Sequence, residues 1–406
     1  MTYSIKIRRL CAIGCAMLFA AAVSACGGGG GSPGADLPPP SGYAYTPPGT
    51  LADGWQIAHA ADSGLSVAGI QNMMDAIDNG EFPIIDSIAI AHRGSLVLDE
   101  IFRTELSQAD GNVANVDLAM HAQFSISKSF ASALVGIAVD QQVIGGPEVP
   151  FLSLFPYDAL ENPDPRKQAV TLHDALTMQL GLEWNEWDPP YSDPDNQLFR
   201  FHAEHVDYAK GLLDLPMATD PGSIFAYNTV ATTALGQAIE NAAPLSLIDY
   251  GGANFLLPLE IARVEVIRTP SGLPDLGRGL FLTTRDLLKL GQLYLDEGQW
   301  NGQRVVSEDW VRRSRTAYTE LRWPEPDTMD WQLDGYGYQW WIGHFDIDGR
   351  RLDSYAAWGF GAQWLMVIPE LELVIAVNAN GRDGAPDETN QPLTLMKRFV
   401  IPAALD

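Results

Sequence analysis

From Ser66 to Asn79 apolar residues recur at helical spacing, with Val67, Ile70, Met73 and Ile77 on one face. The pattern then switches to two β-rich runs, Ser87 to Arg93 and Leu96 to Arg103, joined by Gly94-Ser95 as a hairpin. Ser129 to Gln142 is apolar or small all round, which predicts a buried helix. Between about 144 and 275, Pro and Asp break the chain into helical pieces, of which Thr171 to Leu180 and Thr229 to Asn241 are the clearest. Thr283 to Glu297 predicts another helix, capped by Thr283 or Thr284 with Arg285-Asp286 in its first turn. Strand patterns return at Tyr336 to His344, Ser354 to Ile368 and Leu373 to Asn378, with turns at Gly349 and Pro369-Glu370. A last helix is predicted from about Pro392 to Ala404. This order implies an α/β fold of the α+β type: a mostly antiparallel sheet built from both chain ends, flanked by helices, with a mainly helical region at about 144–275 inserted between them.

The first residues do not belong to that pattern. Lys6, Arg8 and Arg9 form a basic start, Leu10 to Ala22 is an uncharged apolar run, and Val23-Ser24-Ala25-Cys26 reads as a bacterial lipobox. Residues 1–25 are therefore expected to be a lipoprotein signal peptide, with Cys26 as the lipidated residue that ties the protein to the bacterial cell envelope. Gly27 after the cysteine favours the outer membrane. Residues 26–52, with a glycine run and Pro38-Pro39-Pro40, read as a tether. Gly30-Gly31-Ser32-Pro33-Gly34 matches a hydrolase nucleophile pattern but has no strand before it and no helix after it, so it is set aside. Residues 53–406 are then one catalytic-sized domain.

Composition narrows the chemistry. The formal net charge is −26, which excludes nucleic acid as a partner. The three cysteines, Cys11, Cys15 and Cys26, all precede the globular part, so it has no internal disulfide and no thiolate metal site. His202 and His205 share a helical face, but no third metal ligand follows at a useful spacing, and no phosphate loop or dinucleotide fingerprint is present. No cofactor and no metal are expected.

Ser125 and Lys128 stand three residues apart at the start of the apolar helix, where positions i and i+3 share a face. A serine hydroxyl needs a base, and a lysine whose pKa is lowered by burial can be that base. Tyr227, just before the Thr229–Asn241 helix, can take the serine proton as phenolate or relay it to a leaving group. In Ala357-Trp358-Gly359-Phe360-Gly361, glycines on an edge strand let a substrate approach the backbone. The N–H groups of Phe360 and Ser125 would form an oxyanion hole, with Trp358 and Gly359 as substrate contacts. His121, four residues before Ser125, is a weaker candidate base than Lys128.

Together these motifs resemble the class C β-lactamase-like serine hydrolases, a group that includes D-alanyl-D-alanine carboxypeptidases, family VIII esterases and 6-aminohexanoate-dimer hydrolase. Phe124 to Phe130, Leu176-Thr177-Met178 with Gly181-Leu182, Thr283 to Asp286, Tyr336 to Trp341 and Gly361-Ala362-Gln363 are similar to that family's wording, over roughly residues 55 to 400. The resemblance implies a β-lactamase/transpeptidase-like fold and an acyl-enzyme on Ser125, formed from a small ester or amide substrate. Two motifs depart from the family. Its Tyr-x-Asn is here Tyr227-Asn228-Thr229, with the asparagine displaced by one. Its Lys-Thr-Gly is here Ala357-Trp358-Gly359, without a cation. The second departure points away from β-lactamase or D,D-peptidase activity and toward the esterase and 6-aminohexanoate-dimer hydrolase branch. In that branch the stretch after the Gly-Leu turn helps line the cleft, which implies Trp184 and Tyr191 as substrate contacts. A non-catalytic penicillin-binding-like surface module is the alternative from another class, and the intact Ser125, Lys128 and Tyr227 set opposes it.

Overall fold

The computed structural model describes residues 4–8, 44–106, 117–323, 328–381 and 386–405. Cys26, the apolar run before it and most of the tether lie outside the described residues. Among the described residues no helix is long and apolar enough to cross a membrane.

The centre is a nine-stranded sheet. Its order is Thr319–Glu320, Gln332–Tyr336, Trp341–Ile347, Arg350–Gly359, Gln363–Ile368, Leu373–Ala379, Ile85–His92, Ser95–Ile101 and Gln56–Ile57. Every neighbouring pair is antiparallel except the last, in which Gln56–Ile57 runs parallel to Ser95–Ile101. The two chain ends meet where Ile85–His92 pairs with Leu373–Ala379. The sheet is thus assembled from both ends, as the sequence pattern implied.

Strand alternation sends side chains into two cores, one on each face. Ala89, Ala91, Leu365, Val367, Val374 and Ala376 face one core, which the helices Ser127–Asp140 and Thr284–Leu295 complete. Ile88, Ile90, Trp364, Met366, Ile375 and Val377 face the other, covered by the helix Val67–Asp78 and the helical run from Pro386 to Leu405. Side-chain caps set several helix starts: Ser66 Oγ accepts from Gly69 N (3.3 Å), Asn228 Oδ1 from Ala231 N (2.9 Å) and Thr283 Oγ1 from Asp286 N (3.0 Å).

Two expected strands are each two strands. Tyr336–His344 is interrupted at Gly337–Trp340, where Gln339 adopts a φ of 62°. The Gln339 amide turns inward, donating to Leu176 O (2.8 Å) and accepting from Thr232 Oγ1 (2.7 Å), so a polar residue tied to the core ends the alternation. Ser354–Ile368 reverses through Phe360–Ala362, with φ of 75° at Gly361 and 65° at Ala362. Arg350–Gly359 is therefore an interior strand, paired on both sides, and not the edge strand expected. A run buried on both faces is continuously apolar, so periodicity does not reveal the reversal. The helix expected over Thr171–Leu180 stops at Leu176, and Met178 adopts a φ of 60°.

A second, small sheet was not anticipated. Met120–Ala122 and Arg263–Ile267 flank Leu280–Thr283, and Ser4–Arg8, which falls inside the expected signal peptide, pairs in parallel with Arg263–Ile267 at the edge. The 144–275 region accordingly ends in a strand after its helices. This small sheet aims the chain into the candidate site.

Candidate active site

The strand Met120–Ala122 delivers the chain to Gln123, whose N–H donates to Leu280 O (2.8 Å). Phe124 then takes a φ of 44°, a region that a bulky side chain populates sparingly. The turn Phe124–Ile126 carries Ser125 and runs directly into the helix Ser127–Asp140. Ser127 Oγ accepts from Leu280 N (3.1 Å), tying the helix start to the small sheet. Ser125 is half-buried and so within reach of a substrate.

One turn along, Lys128 is 1% exposed. Its Nζ donates to Ser125 Oγ (3.0 Å), Thr229 Oγ1 (3.0 Å) and the Gly277 carbonyl (2.8 Å). Burial is the strongest influence on this amine and brings its pKa down to about 8; Glu186 and Asp275 oppose the shift and Arg278 assists it. Near pH 8 a sizeable share of the amine is neutral and able to accept a proton.

The Tyr227 ring lies under Lys128, with Nζ 4.8 Å from its centroid. Burial and the Glu186 charge push the phenol far above its ordinary range, and its hydrogen bond to the Ser125 side chain offsets only part of that. Of the two roles expected for Tyr227, the phenolate is the disfavoured one. A neutral hydroxyl beside Ser125 is suited to donating or relaying a proton.

The remaining partners of Lys128 escaped the sequence reading. Glu186 is 1% exposed and its carboxylate accepts from Trp184 Nε1 (3.1 Å), Tyr191 Oη (2.7 Å), Thr229 N (2.6 Å) and Thr229 Oγ1 (2.7 Å). Thr229 stands two residues after Tyr227 and touches the lysine, whereas Asn228 caps the following helix. The displaced asparagine is thus a helix cap, and Thr229 holds the place beside Lys128. Gly277 packs so tightly on the start of that helix that a Cβ would come within 2.5 Å of Thr229 O. Asp275, also buried, accepts from Thr233 Oγ1 (2.8 Å), Gly277 N (3.1 Å) and Arg278 Nε (3.2 Å), which fixes the loop that presents the Gly277 carbonyl. The signal available in advance was a glycine-rich Asp275-Leu276-Gly277-Arg278 loop and a carboxylate among aromatics, neither of them specific.

Phe360 lies beside the serine turn. Its ring packs edge-on against Phe124 (5.7 Å), and a Cβ on Gly359 would fall 2.4 Å from the Gln123 carbonyl. The strand end thus abuts the residues that precede Ser125. Trp358 is half-buried and stacks on Trp364 (5.4 Å). Tyr191 is half-buried, meets Phe360 edge-on (5.9 Å) and donates to Glu186. Trp184 is buried against Phe201 and supports Glu186 through its indole N–H. Trp184 also lines a surface cavity with Gly181, Leu182, Glu183 and Asn185. Trp187, not singled out before, is 50% exposed and stacks on Tyr227 (5.3 Å, 20° between planes). His121 is buried and faces Asp86 (3.8 Å) and Ser87 (3.4 Å). His202 stacks on Tyr208, and His205 on Phe201. Among the described residues no three His, Cys, Asp or Glu side chains gather into a metal-holding group.

A nucleophile with a neutralisable base and a protonated phenol can transfer an acyl group. The beta-lactamase family model matches residues 86–396. The 6-aminohexanoate-dimer hydrolase of Paenarthrobacter ureafaciens is 26% identical over 304 residues, which cover 70% of this chain and 69% of that protein. Among solved structures, a penicillin-binding protein homolog from Caulobacter crescentus superposes with a TM-score of 0.58 at 15% identity, covering 83% of this chain and 97% of the other. A family VIII carboxylesterase gives a TM-score of 0.58 at 13% identity, covering 85% and 98%. These two likenesses are likenesses of fold.

Proposed function

The chain belongs to the β-lactamase family, and from that premise we propose that it is a serine hydrolase cleaving a small ester or amide through an acyl-enzyme on Ser125. Neutral Lys128 takes the Ser125 proton as Oγ bonds to the substrate carbonyl carbon. The oxyanion is held by the N–H groups of Ser125 and Phe360. As the carbonyl–heteroatom bond breaks, the Tyr227 hydroxyl gives its proton to the leaving group and regains one from protonated Lys128. Water, activated by the same pair, then attacks the acyl-enzyme and frees Ser125. No cofactor enters the cycle.

The observation that carries this reading is the 3.0 Å contact between Lys128 Nζ and Ser125 Oγ, made by an amine whose pKa burial brings to about 8. The similarity to a 6-aminohexanoate-dimer hydrolase supports an amide as well as an ester substrate. A β-lactamase or D,D-peptidase reading needs a cation on the strand that carries Gly359. Ala357 takes the place of that cation, and Ala357-Trp358-Gly359 carries none. We further propose that Cys26 carries a lipid that holds the enzyme at the cell envelope, on the strength of the lipobox pattern alone.

The test is hydrolysis of a p-nitrophenyl ester by purified protein and by Ser125→Ala, followed by nitrocefin and a 6-aminohexanoate dimer. Ester turnover lost in the alanine variant is the expected result. Turnover that survives it would remove Ser125 from the mechanism, and a folded protein inert toward all three would favour a non-catalytic surface module.

A further inference from the structure

Thr229 Oγ1 lies 2.7 Å from Glu186 Oε1 and 3.0 Å from Lys128 Nζ. A threonine hydroxyl has one proton, and an ionised carboxylate can only accept. The hydroxyl therefore donates to Glu186 and can only accept from the lysine. The Gly277 carbonyl, 2.8 Å from Nζ, is likewise an acceptor only. A neutral amine has two N–H groups and one lone pair. We propose that Glu186 is a positioning residue for the acyl transfer on Ser125. Holding Thr229 as an obligate acceptor, it claims, together with the Gly277 carbonyl, both N–H groups of neutral Lys128 and turns the lone pair onto the serine. The inference rests on Ser125 and Lys128 being nucleophile and base.

Glu186 is built for this single state. Four donors converge on its two oxygens: Trp184 Nε1, Tyr191 Oη, and the N–H and hydroxyl of Thr229. Its own carbonyl accepts from Asn196 Nδ2 (2.8 Å), which also donates to Pro189 O (2.6 Å) and pins the loop. An amide at this position has one acceptor oxygen and two N–H groups, so it cannot receive all four donors. The hydroxyl of Thr229 would then be free to rotate its proton toward Lys128, and the lone pair would lose its fixed direction.

The charge of Glu186 makes the role measurable. The groups that act on Lys128 are Glu186 and Asp275, which favour its protonated form, Arg278, which disfavours it, and the Tyr227 ring that it overlies. His202 in turn senses Lys128, but burial brings it down to about 3 and keeps it neutral. Removing the Glu186 charge lets the amine lose its proton more easily. The variant therefore has more neutral base at a given pH and uses it less well.

The experiment records kcat/KM against pH on a p-nitrophenyl ester for the full-length protein, Glu186→Gln, Thr229→Val, Thr229→Ser, the Glu186→Gln/Thr229→Val double variant and Ser125→Ala. Circular dichroism checks that each is folded. In Glu186→Gln the plateau is expected to fall about 10²-fold while the acid limb moves about one unit toward low pH. Thr229→Val loses a similar factor, Thr229→Ser recovers most of it, and the double variant is no worse than the poorer single. A lowered plateau with an unmoved limb, or losses that multiply in the double variant, would reduce Glu186 to a packing residue and overturn the proposal. Should Glu186→Gln not fold, the Thr229 pair decides: valine as active as wild type refutes it. Turnover surviving in Ser125→Ala would overturn the underlying mechanism and this inference with it, whereas an inactive Ser125→Ala beside a wild-type profile in Glu186→Gln would remove the inference alone.

Discussion

The candidate active site has two walls of different origin. One is local: the turn Phe124–Ile126, the first turn of the helix Ser127–Asp140 and the strand end at Gly359. The other is gathered from distant sequence. Thr229 is 101 residues from Lys128, Gly277 is 149 residues from it, and Glu186 is 43 residues from Thr229. In the proposed mechanism the local wall brings the groups whose bonds change. The gathered wall surrounds the Lys128 amine with the Glu186 and Asp275 charges and the Thr229 and Gly277 acceptors. The proposed reacting pair can be read from one helix face, but the groups around it come together only in the folded chain.

Substitutions can pull the two walls apart. The largest effect is expected in the local wall: Lys128→Ala should lower kcat/KM on an ester by about 10⁴-fold, and a loss below tenfold would displace the lysine as base. In the gathered wall, Gly277→Ala drives a methyl toward Thr229 O. Two consequences follow, a loss of about 10²-fold in turnover and a loss of roughly 1–3 kcal/mol in stability, read by ester kinetics and urea titration. Unaltered turnover would mean that the Gly277 carbonyl does not aim the amine. The pH profile tests both walls together. A base with a pKa of about 8 is neutral above it, so kcat/KM should fall about tenfold per pH unit below 8 and level off above it. The amine titrates at its ordinary 10.5 once unfolded, so the unfolded chain binds more protons between about 8 and 10.5 and stability gains from Lys128 as pH rises through that window. The smallest effect belongs to the rim. Trp187→Ala should raise KM for bulky aromatic esters more than for acetate and change stability by less than about 0.5 kcal/mol, as its half-exposed position implies.

The same division explains what was legible beforehand. Ser125 and Lys128 were visible because i, i+3 spacing on a helix is a geometric statement that needs no tertiary information. Phe360 was visible because glycines on either side of it marked a place where the chain departs from a strand. Two-ended sheet assembly followed from β-rich runs at both ends of a helical middle. Glu186 was invisible, since nothing local distinguishes a carboxylate that will be buried under four donors from one that will face water. The second role of Trp184 was equally hidden: its packing against Phe201 and its hydrogen bond to Glu186 exist only in the folded chain. The reversal at Phe360–Ala362 was hidden by strands so deeply covered that their apolar run carries no period, and the one at Gly337–Trp340 by Gln339, whose inward turn depends on partners at Leu176 and Thr232.

The pairing of Ile85–His92 with Leu373–Ala379 also sets an order of events during synthesis. The early strands leave the ribosome hundreds of residues before their partner exists. They must wait as a hairpin with one unsatisfied side while the intervening helices pack among themselves. A chain interrupted before its last few dozen residues would hold the serine and the lysine yet lack the strand that joins the sheet. The nucleophile turn, which leans on that sheet through Gly359, would have no fixed wall. Assembly of the candidate site is therefore a terminal event, and a partly translated chain is expected to be inert.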